Sequence, residues 1–437
     1  MPETVHRVEP LVQPPDVTIA VPGSKSHTNR ALICAALAPG RSELSGVLFA
    51  DDSEAMLGAL TELGVSIDAD PASESVVVDG GLAVSGLGNG GLGDGQGAPI
   101  AVDVRKSGTS GRFLLPVLAA TPGRFVLDGH QQLRARPFGP QLEALSILGA
   151  EIAGDQLPLT IAGRQLAGTQ VSVASSISSQ YLSGLLLAAP LLTDRTTIAV
   201  DSQMVSRPYV DLTLSTMESF GVSVSVSVDE ASSRFIVEHQ DYKPVSLALE
   251  PDASAASYFF AAAAISGGRV RVSGLGANTG QGDLGFVKVL ERMGARVTHG
   301  PNWTEVAGTG TLRGVTVDMA DISDTAQTLA VVACFADSPT VMTNIGFIRF
   351  KETDRIGNVV AELERRGIDA AETEDGMMIT PGIPTPGLFG TYDDHRMAMS
   401  FALFGLVHPG IVIDNPACVD KTFPRYFEVL DQLRSVG

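Results

Sequence analysis

The sequence predicts an α/β protein of two domains assembled from six copies of one unit, and three observations carry that prediction. A helix that ends in glycine and runs straight into a strand recurs as LTELGVSID, LSILGAEIA, MESFGVSVSV, LERMGARVT and LERRGIDAA, and the chain closes on LDQLRSVG. The glycines fall at 64, 149, 221, 294, 367 and 437, in steps of 85, 72, 73, 73 and 70 residues. In phase with them, an Ala/Leu-rich helix closed by a turn and followed by a β-branched strand recurs, with turns near 40, 123, 194, 268, 338 and 410. Finally, 437 residues of which 44% are hydrophobic can bury a large core but exceed one typical domain.

Each unit therefore holds two helices, each leaving through a tight turn into a strand. A glycine just past a helix end, where φ is positive, explains the punctuation. Strand, helix, strand, helix, strand units imply mixed sheets whose parallel neighbours are joined by helical crossovers. The first step is longer because 85–98, SGLGNGGLGDGQGA, carries seven glycines and reads as a flexible surface loop. Six units divide as three plus three, with a polar, Pro-containing join at 241–250, DYKPVSLALE. The expected domains are 21–245, and 1–20 plus 246–437, the second completed by an N-terminal strand at 8–20.

A formal charge of −19 argues against nucleic acid or anionic membranes as partners, so an anionic ligand must meet a local cationic patch. Fourteen of the 30 basic residues lie in seven short stretches, KSHTNR, RKSGTSGR, RARP, RPY, RFKETDR, DDHRM and DKTFPR, beside Gly, Ser and Pro. That placement suits loops that grip a ligand better than solvated surface. The longest apolar run, LSGLLLAAPLL at 182–192, is too short to span a bilayer, and Pro14 and Pro15 interrupt the N-terminal region. A cytoplasmic, soluble protein is expected. Cys34 and Cys334 sit in apolar helical patterns and read as buried free thiols; with Cys418 they show no zinc spacing, and no metal is expected.

VPGSKSHTNR, 21–30, resembles a nucleotide P-loop but lacks the Gly before its lysine, since Ser24 precedes Lys25. What remains is a helix start with free N–H groups, Lys25, Ser26 and Arg30, suited to one phosphate or carboxylate; the alternative is an ordinary Ser-capped helix. VRKSGTSGRF, 104–113, is a second Gly/Ser/Thr nest, in which Gly108 permits close backbone approach. SSISSQYLSGLLLAA places Ser178, Ser179 and Gln180 at a third helix start, and SRPYVDLTL places Ser206 and Tyr209 at a fourth. Equivalent helix starts with polar residues in successive units suggest convergence on one polar ligand. The C-terminal half sets Asp324, Glu352, Asp354, Asp393, Asp394 and His395 among Lys351, Arg355, Arg396 and Lys421. Carboxylates among arginines weaken an anion receptor, so they suggest proton transfer; the alternative is structural ion pairs, with KETDR a capped helix start.

Taken in order, PGSKSHTNRAL, SSQYLSGLLL, SRPYVDLTL, KETDRI, DDHRMAMS and DKTFPRYF resemble the EPSP synthase (3-phosphoshikimate 1-carboxyvinyltransferase) family over nearly the whole chain. The resemblance implies a two-domain inverse α/β barrel-like fold of six βαβαββ-type repeats, with buried helices and a site in the cleft between domains. It implies transfer of the enolpyruvyl group of phosphoenolpyruvate to the 5-hydroxyl of shikimate 3-phosphate by addition and elimination, without cofactor, by a monomer. Lys25 would contact both substrates, and Ser26, Arg30, Ser178, Ser179, Ser206 and Lys351 would grip shikimate 3-phosphate. Gln180 would lie between the two ligands. Gly108, Arg136, Arg355, Arg396 and Lys421 would hold phosphoenolpyruvate, where family members also bind glyphosate. Asp324 would accept the 5-hydroxyl proton, and Glu352, with Lys25, would serve proton transfer at the methylene carbon. Two features depart from the family: Arg105 and Lys106 replace Gly-Asn, and Phe347 replaces a polar residue four positions before Lys351. Two rivals remain. A sister transferase acting on UDP-N-acetylglucosamine usually has a reactive loop cysteine, which none of the three cysteines here matches; the other rival is a non-catalytic sugar-phosphate sensor.

Overall fold

In the computed structural model, which describes residues 4–82, 98–228 and 232–434, a repeat folds as a parallel strand pair joined by a helix, then a second helix and a hairpin. The second repeat shows the pattern. Strand Ile100–Asp103 leads into helix Gly108–Ala120 and the parallel strand Gly123–Asp128; helix Gly139–Ile147 follows, then Glu151–Ala153 and Leu159–Gly163. Leu159–Gly163 inserts antiparallel beside Gly123–Asp128, so the last strand lies inside the sheet and the third at its edge. Five sheets repeat this four-stranded order. The glycine-rich insertion, from residue 85 through 97, and Gly437 lie outside the described residues.

Three sheets borrow a strand from elsewhere in the chain. Ser246–Ala248 pairs in parallel with Gly40–Ser45, in the register Leu247 to Leu44, and so completes the first repeat's sheet. The N-terminal segment does not form one strand over 8–20. It supplies two short ones to different sheets: Val5–Arg7 runs antiparallel to Ile411–Asp414, and Asp16–Ile19 runs parallel to Arg269–Ser273. Pro10, Pro14 and Pro15 separate them, each lacking the N–H that a continuous strand would need. The chain divides into two compact units, Gly23–Leu249 and Met1–Pro22 with Glu250–Gly437. The join therefore falls at 249/250 rather than 245/246, because the borrowed strand 246–248 binds the first unit's sheet.

The sequence periodicity has a direct structural cause. Gly64, Gly149, Gly221, Gly294 and Gly367 all have φ between 79° and 119°, the left-handed conformation that ends a helix and turns the chain into the next strand. The helices crossing each parallel pair are buried, Gly108–Ala120 along its full length and Ala253–Ser266 through Ala264, with their polar residues mostly in the first turns. Their surroundings include Phe113, Phe125, Phe138 and Tyr181 in the first unit and Tyr258, Phe401 and Tyr426 in the second. Small residues let the helices approach: a Cβ on Gly184 would lie 2.3 Å from the Arg112 carbonyl oxygen and 2.6 Å from Gln141 Nε2. All three cysteines are buried free thiols, and burial raises Cys34 and Cys334. No helix among the described residues is long and apolar enough to cross a membrane.

The packing around two helical glycines predicts opposite effects of the same substitution. Gly184→Ala should destabilise by about 1–3 kcal/mol through overpacking. Gly58→Ala, on helix Asp51–Glu62 with nothing within 4 Å of the new methyl, should stabilise by about 0.5–1 kcal/mol. Urea denaturation of both variants checks the signs.

Candidate active site

Three helix starts of the unit Gly23–Leu249 are tied together by Arg30, on helix Lys25–Leu37. That helix is capped by Ser24, whose hydroxyl accepts the His27 N–H at 3.4 Å. Lys25, its first residue, holds Nζ 3.4 Å from Oδ2 of the buried Asp52. Arg30 is only 2% exposed. Its Nη1 donates to the Ser26 carbonyl at 2.7 Å, Nε to Thr213 Oγ1 at 2.7 Å, and Nη2 to the Tyr209 carbonyl at 2.8 Å and Ser183 Oγ at 3.4 Å. Ser183 lies on helix Ser179–Ala188, and Tyr209 and Thr213 lie on Arg207–Ser219. Burial lowers the Arg30 guanidinium to about 10, against the opposing influence of Tyr209 and Cys34. It stays charged at neutral pH, and in this structure its charge organises the helix starts.

Arg112 makes a second junction, which sequence reasoning passed over. Its Nη1 donates to Gln180 Oε1 at 2.7 Å and Nη2 to the Pro137 carbonyl at 3.1 Å, while Phe138 and Tyr181 face its guanidinium with their rings. Gln180 Nε2 in turn donates to Thr109 Oγ1 at 3.1 Å. Gly108 begins the helix capped by Ser107, and a Cβ there would lie 2.5 Å from Arg136 Nη1 and 3.2 Å from Arg112 Nη1. Only glycine lets two guanidinium groups come this close to the helix start. Ser178 caps Ser179–Ala188 by accepting the Gln180 N–H at 3.2 Å, and Ser206, at φ +53°, turns the chain into Arg207–Ser219. Arg30 thus brings Ser26 together with Tyr209, three residues past Ser206, while Arg112 lies beside both Gly108 and Gln180.

Arg105 has a φ of +48°, a left-handed conformation that glycine adopts more readily. Its guanidinium bonds Asp51 at 3.0 Å and Glu54 at 3.3 Å in the first turn of Asp51–Glu62, and the Asp51 hydrogen bond raises its pKa.

The second unit concentrates charge around Arg355, whose side chain is 2% exposed. Asp394, wholly buried, accepts from Arg355 Nε at 2.8 Å and Nη2 at 3.2 Å. Arg355 Nη2 also lies 2.8 Å from Glu352 Oε2, and Nη1 lies 3.3 Å from Asp324 Oδ1. Arg396 Nη2 reaches Asp324 Oδ2 at 2.7 Å, and Lys421 Nζ lies 4.0 Å from Glu352 Oε1. Burial works to lower the Arg355 pKa, but the carboxylates of Asp394, Glu352 and Asp324 raise it overall. Tyr258, buried on Ala253–Ser266, is pushed up to about 12 by burial despite the pull of Arg396 and Arg355. Asp394 also caps helix His395–Val407, accepting the Arg396 N–H at 2.9 Å.

KETDR is not itself helical. It is an irregular segment before helix Gly357–Arg365, whose first N–H groups Asp354 satisfies by accepting from Ile356 and Gly357. Lys351 holds its ammonium 5.8 Å from the centre of the Phe347 ring, so Phe347 supplies it with a cation–π face. The structure thus joins Asp324, Glu352, Arg355, Arg396 and Lys421 in one cluster.

Carboxylates threaded among arginines weaken an anion receptor but suit proton transfer beside a bound anion, the combination that a transferase acting on polyanions needs. The family model for EPSP synthase (3-phosphoshikimate 1-carboxyvinyltransferase) matches residues 12–430, and the chain belongs to that family. Among its relatives, the 3-phosphoshikimate 1-carboxyvinyltransferase of Trichormus variabilis is 44% identical over 421 residues, covering 95% of this chain and 96% of the relative. The 3-phosphoshikimate 1-carboxyvinyltransferase 2 of Halalkalibacterium halodurans is 41% identical over 432 residues, 97% of this chain and 93% of that one. A solved EPSP synthase from Acinetobacter baumannii superposes with a TM-score of 0.80 at 28% identity, covering 98% of this chain and 97% of the other. The enolpyruvyl transferase NikO of Streptomyces tendae, at 18% identity and a TM-score of 0.74 over 98% and 97% of the two chains, shares the fold.

The first helix start carries a pH signature. Burial, with nearby Arg30, lowers His27 from 6.5 to about 4, so between those values the unfolded chain binds a proton that the folded chain refuses. His27 therefore contributes stability present above pH 6.5 and lost as pH falls toward 4, up to about 3 kcal/mol. His27→Gln should flatten the dependence of melting temperature on pH across that window, as calorimetric melting at pH 7, 5.5 and 4.5 would show.

Proposed function

We propose that this protein transfers the enolpyruvyl group of phosphoenolpyruvate to the 5-hydroxyl of shikimate 3-phosphate, releasing phosphate. The observation that carries the reading is the Asp324 carboxylate held between Arg355 and Arg396, on a chain belonging to the EPSP synthase family. In this reading the residues of both units serve one pair of substrates. Ser26, Arg30, Ser178, Ser179, Ser206 and Lys351 grip shikimate 3-phosphate. Arg30 can turn to it most readily by giving up its longest contact, the 3.4 Å one to Ser183. Gly108, Arg136, Arg355, Arg396 and Lys421 hold phosphoenolpyruvate, whose carboxylate and phosphate suit guanidinium forks. Gln180, its amide oriented by Arg112 and Thr109, lies between the ligands, and Lys25 contacts both.

The reaction needs two proton movements, each with a group to carry it. Asp324 takes the 5-hydroxyl proton as that oxygen bonds C2 of phosphoenolpyruvate, while Glu352, with Lys25, delivers a proton to the methylene carbon. Elimination reverses the carbon step: the new methyl group loses a proton as the bond from C2 to the phosphate oxygen breaks. Substrate anions would displace Asp324 from part of its arginine contacts and leave it free to act as base. The enzyme works as a cytoplasmic monomer on small-molecule substrates, and glyphosate competes for the phosphoenolpyruvate site.

Three experiments test this reading. Phosphate release should require phosphoenolpyruvate with shikimate 3-phosphate, and turnover with UDP-N-acetylglucosamine alone as acceptor would overturn it. Asp324→Ala should lower turnover by about 10²–10⁴-fold while calorimetry still detects shikimate 3-phosphate binding, and unchanged turnover would remove Asp324 from the mechanism. On the phosphoenolpyruvate side, Gly108→Ala displaces the Arg136 guanidinium, which should raise the KM for phosphoenolpyruvate by about tenfold and leave that for shikimate 3-phosphate nearly unchanged.

A further inference from the structure

The loop that delivers Asp394 and Arg396 to the charge cluster is strained. Residues 391–394 form a tight turn closed by the Asp394 N–H donating to the Thr391 carbonyl at 2.9 Å. Both central residues lie in the left-handed region, Tyr392 at φ +55° and Asp393 at φ +57°. Such a turn favours Gly and Asn and accepts Asp, but a tyrosine at its first central position is costly. Surrounding contacts must hold it.

Those contacts centre on Glu362, which no part of the proposed mechanism uses. It lies on helix Gly357–Arg365, directly after KETDR, and its side chain is completely buried. Oε2 accepts the Gly390 N–H at 3.0 Å, and Oε1 accepts the Tyr392 hydroxyl at 2.9 Å and lies 2.6 Å from Arg365 Nη1. The fit is close: a Cβ on Gly390 would lie 2.9 Å from Oε1. One carboxylate thereby grips the loop both before the turn and within it. On the far side, Asn415 Nδ2 donates to Asp393 Oδ1 at 3.3 Å, from a residue itself at φ +41°.

We propose that Glu362 is a positioning residue for phosphoenolpyruvate. It fixes the 390–394 turn so that Asp394 can hold Arg355 and Arg396 can leave the helix start at the right angle. Glu362 touches no expected substrate position; it acts through the two arginines. The inference rests on the proposed function, in which Arg355 and Arg396 bind phosphoenolpyruvate. Loss of the carboxylate should let the strained turn relax and move both guanidinium groups, while the shikimate 3-phosphate contacts of the other unit keep their geometry.

The test is steady-state kinetics on the full chain, varying each substrate against a saturating level of the other, with melting temperatures as a check on folding. Glu362→Ala should raise the KM for phosphoenolpyruvate by about tenfold and leave that for shikimate 3-phosphate within about twofold. Glu362→Gln, which keeps an acceptor oxygen for Gly390, should recover most of the loss. Tyr392→Phe, which removes one donor and no backbone contact, should raise the phosphoenolpyruvate KM by about threefold, and it decides the question alone if Glu362→Ala does not fold. An unchanged phosphoenolpyruvate KM, equal rises for both substrates, or no recovery with Glu362→Gln would overturn the proposal. Absence of wild-type turnover would instead refute the proposed function, and this inference with it.

Discussion

Every helix that crosses a parallel strand pair in this fold is buried, and the first turn of a buried helix leaves backbone N–H groups that its own residues cannot satisfy. Five of the six crossing helices answer that constraint in two ways. In the unit Gly23–Leu249, Ser24, Ser107 and Ser178 cap with neutral hydroxyls. In the other unit, Asp252 and Asp394 cap with carboxylates. A neutral cap leaves the positive end of the helix dipole available to an anion, whereas an acidic cap consumes it. The same structural need thus leaves the dipole end uncompensated by charge at three helix starts of one unit and opposes it with a carboxylate at two of the other.

The remaining crossing helix, Ala326–Ala333, is the exception. No side chain caps it; it is entered through the irregular turn Ala320–Thr325, with Ile322 at non-helical angles. That turn carries Asp324, which accepts from Arg355 and Arg396. In the proposed mechanism Asp324 is the base, and the broken helix start places it between the two arginines. Arg355 then links Asp324, Glu352 and Asp394, so disturbance at one of these positions reaches the others.

Much of the fold was legible because helix-ending glycines need positive φ wherever the repeat turns, and that need is written locally in LGV, LGA, FGV, MGA and RGI. The borrowed strands were less legible. Ser246–Ala248 and Val5–Arg7 are three residues long, and nothing within so short a segment specifies a partner hundreds of residues away. Among the candidate site residues, Lys25 and Gln180 stood out as polar groups at the starts of apolar helices, Gly108 as a glycine in a Ser/Thr nest, and Arg355 and Arg396 as cations among carboxylates. Arg112 and Glu362 did not: Arg112 was counted only within the basic stretch RKSGTSGR and given no role, and a glutamate in VVAELERRG reads as ordinary surface charge. Only burial distinguishes them.

The sequence by itself determined the repeat, its two crossing helices per unit, the cluster of basic residues in an acidic chain, and the absence of a P-loop glycine before Lys25. These are properties of neighbouring residues, set by φ preferences, periodicity and charge. The tertiary structure alone decided that Arg30 binds three helix starts, that Arg112 orients Gln180, and that Glu362 grips the turn before Asp394. Hydrogen-bond geometry between residues far apart in the chain depends on which side chains burial forces together, and no local pattern encodes that.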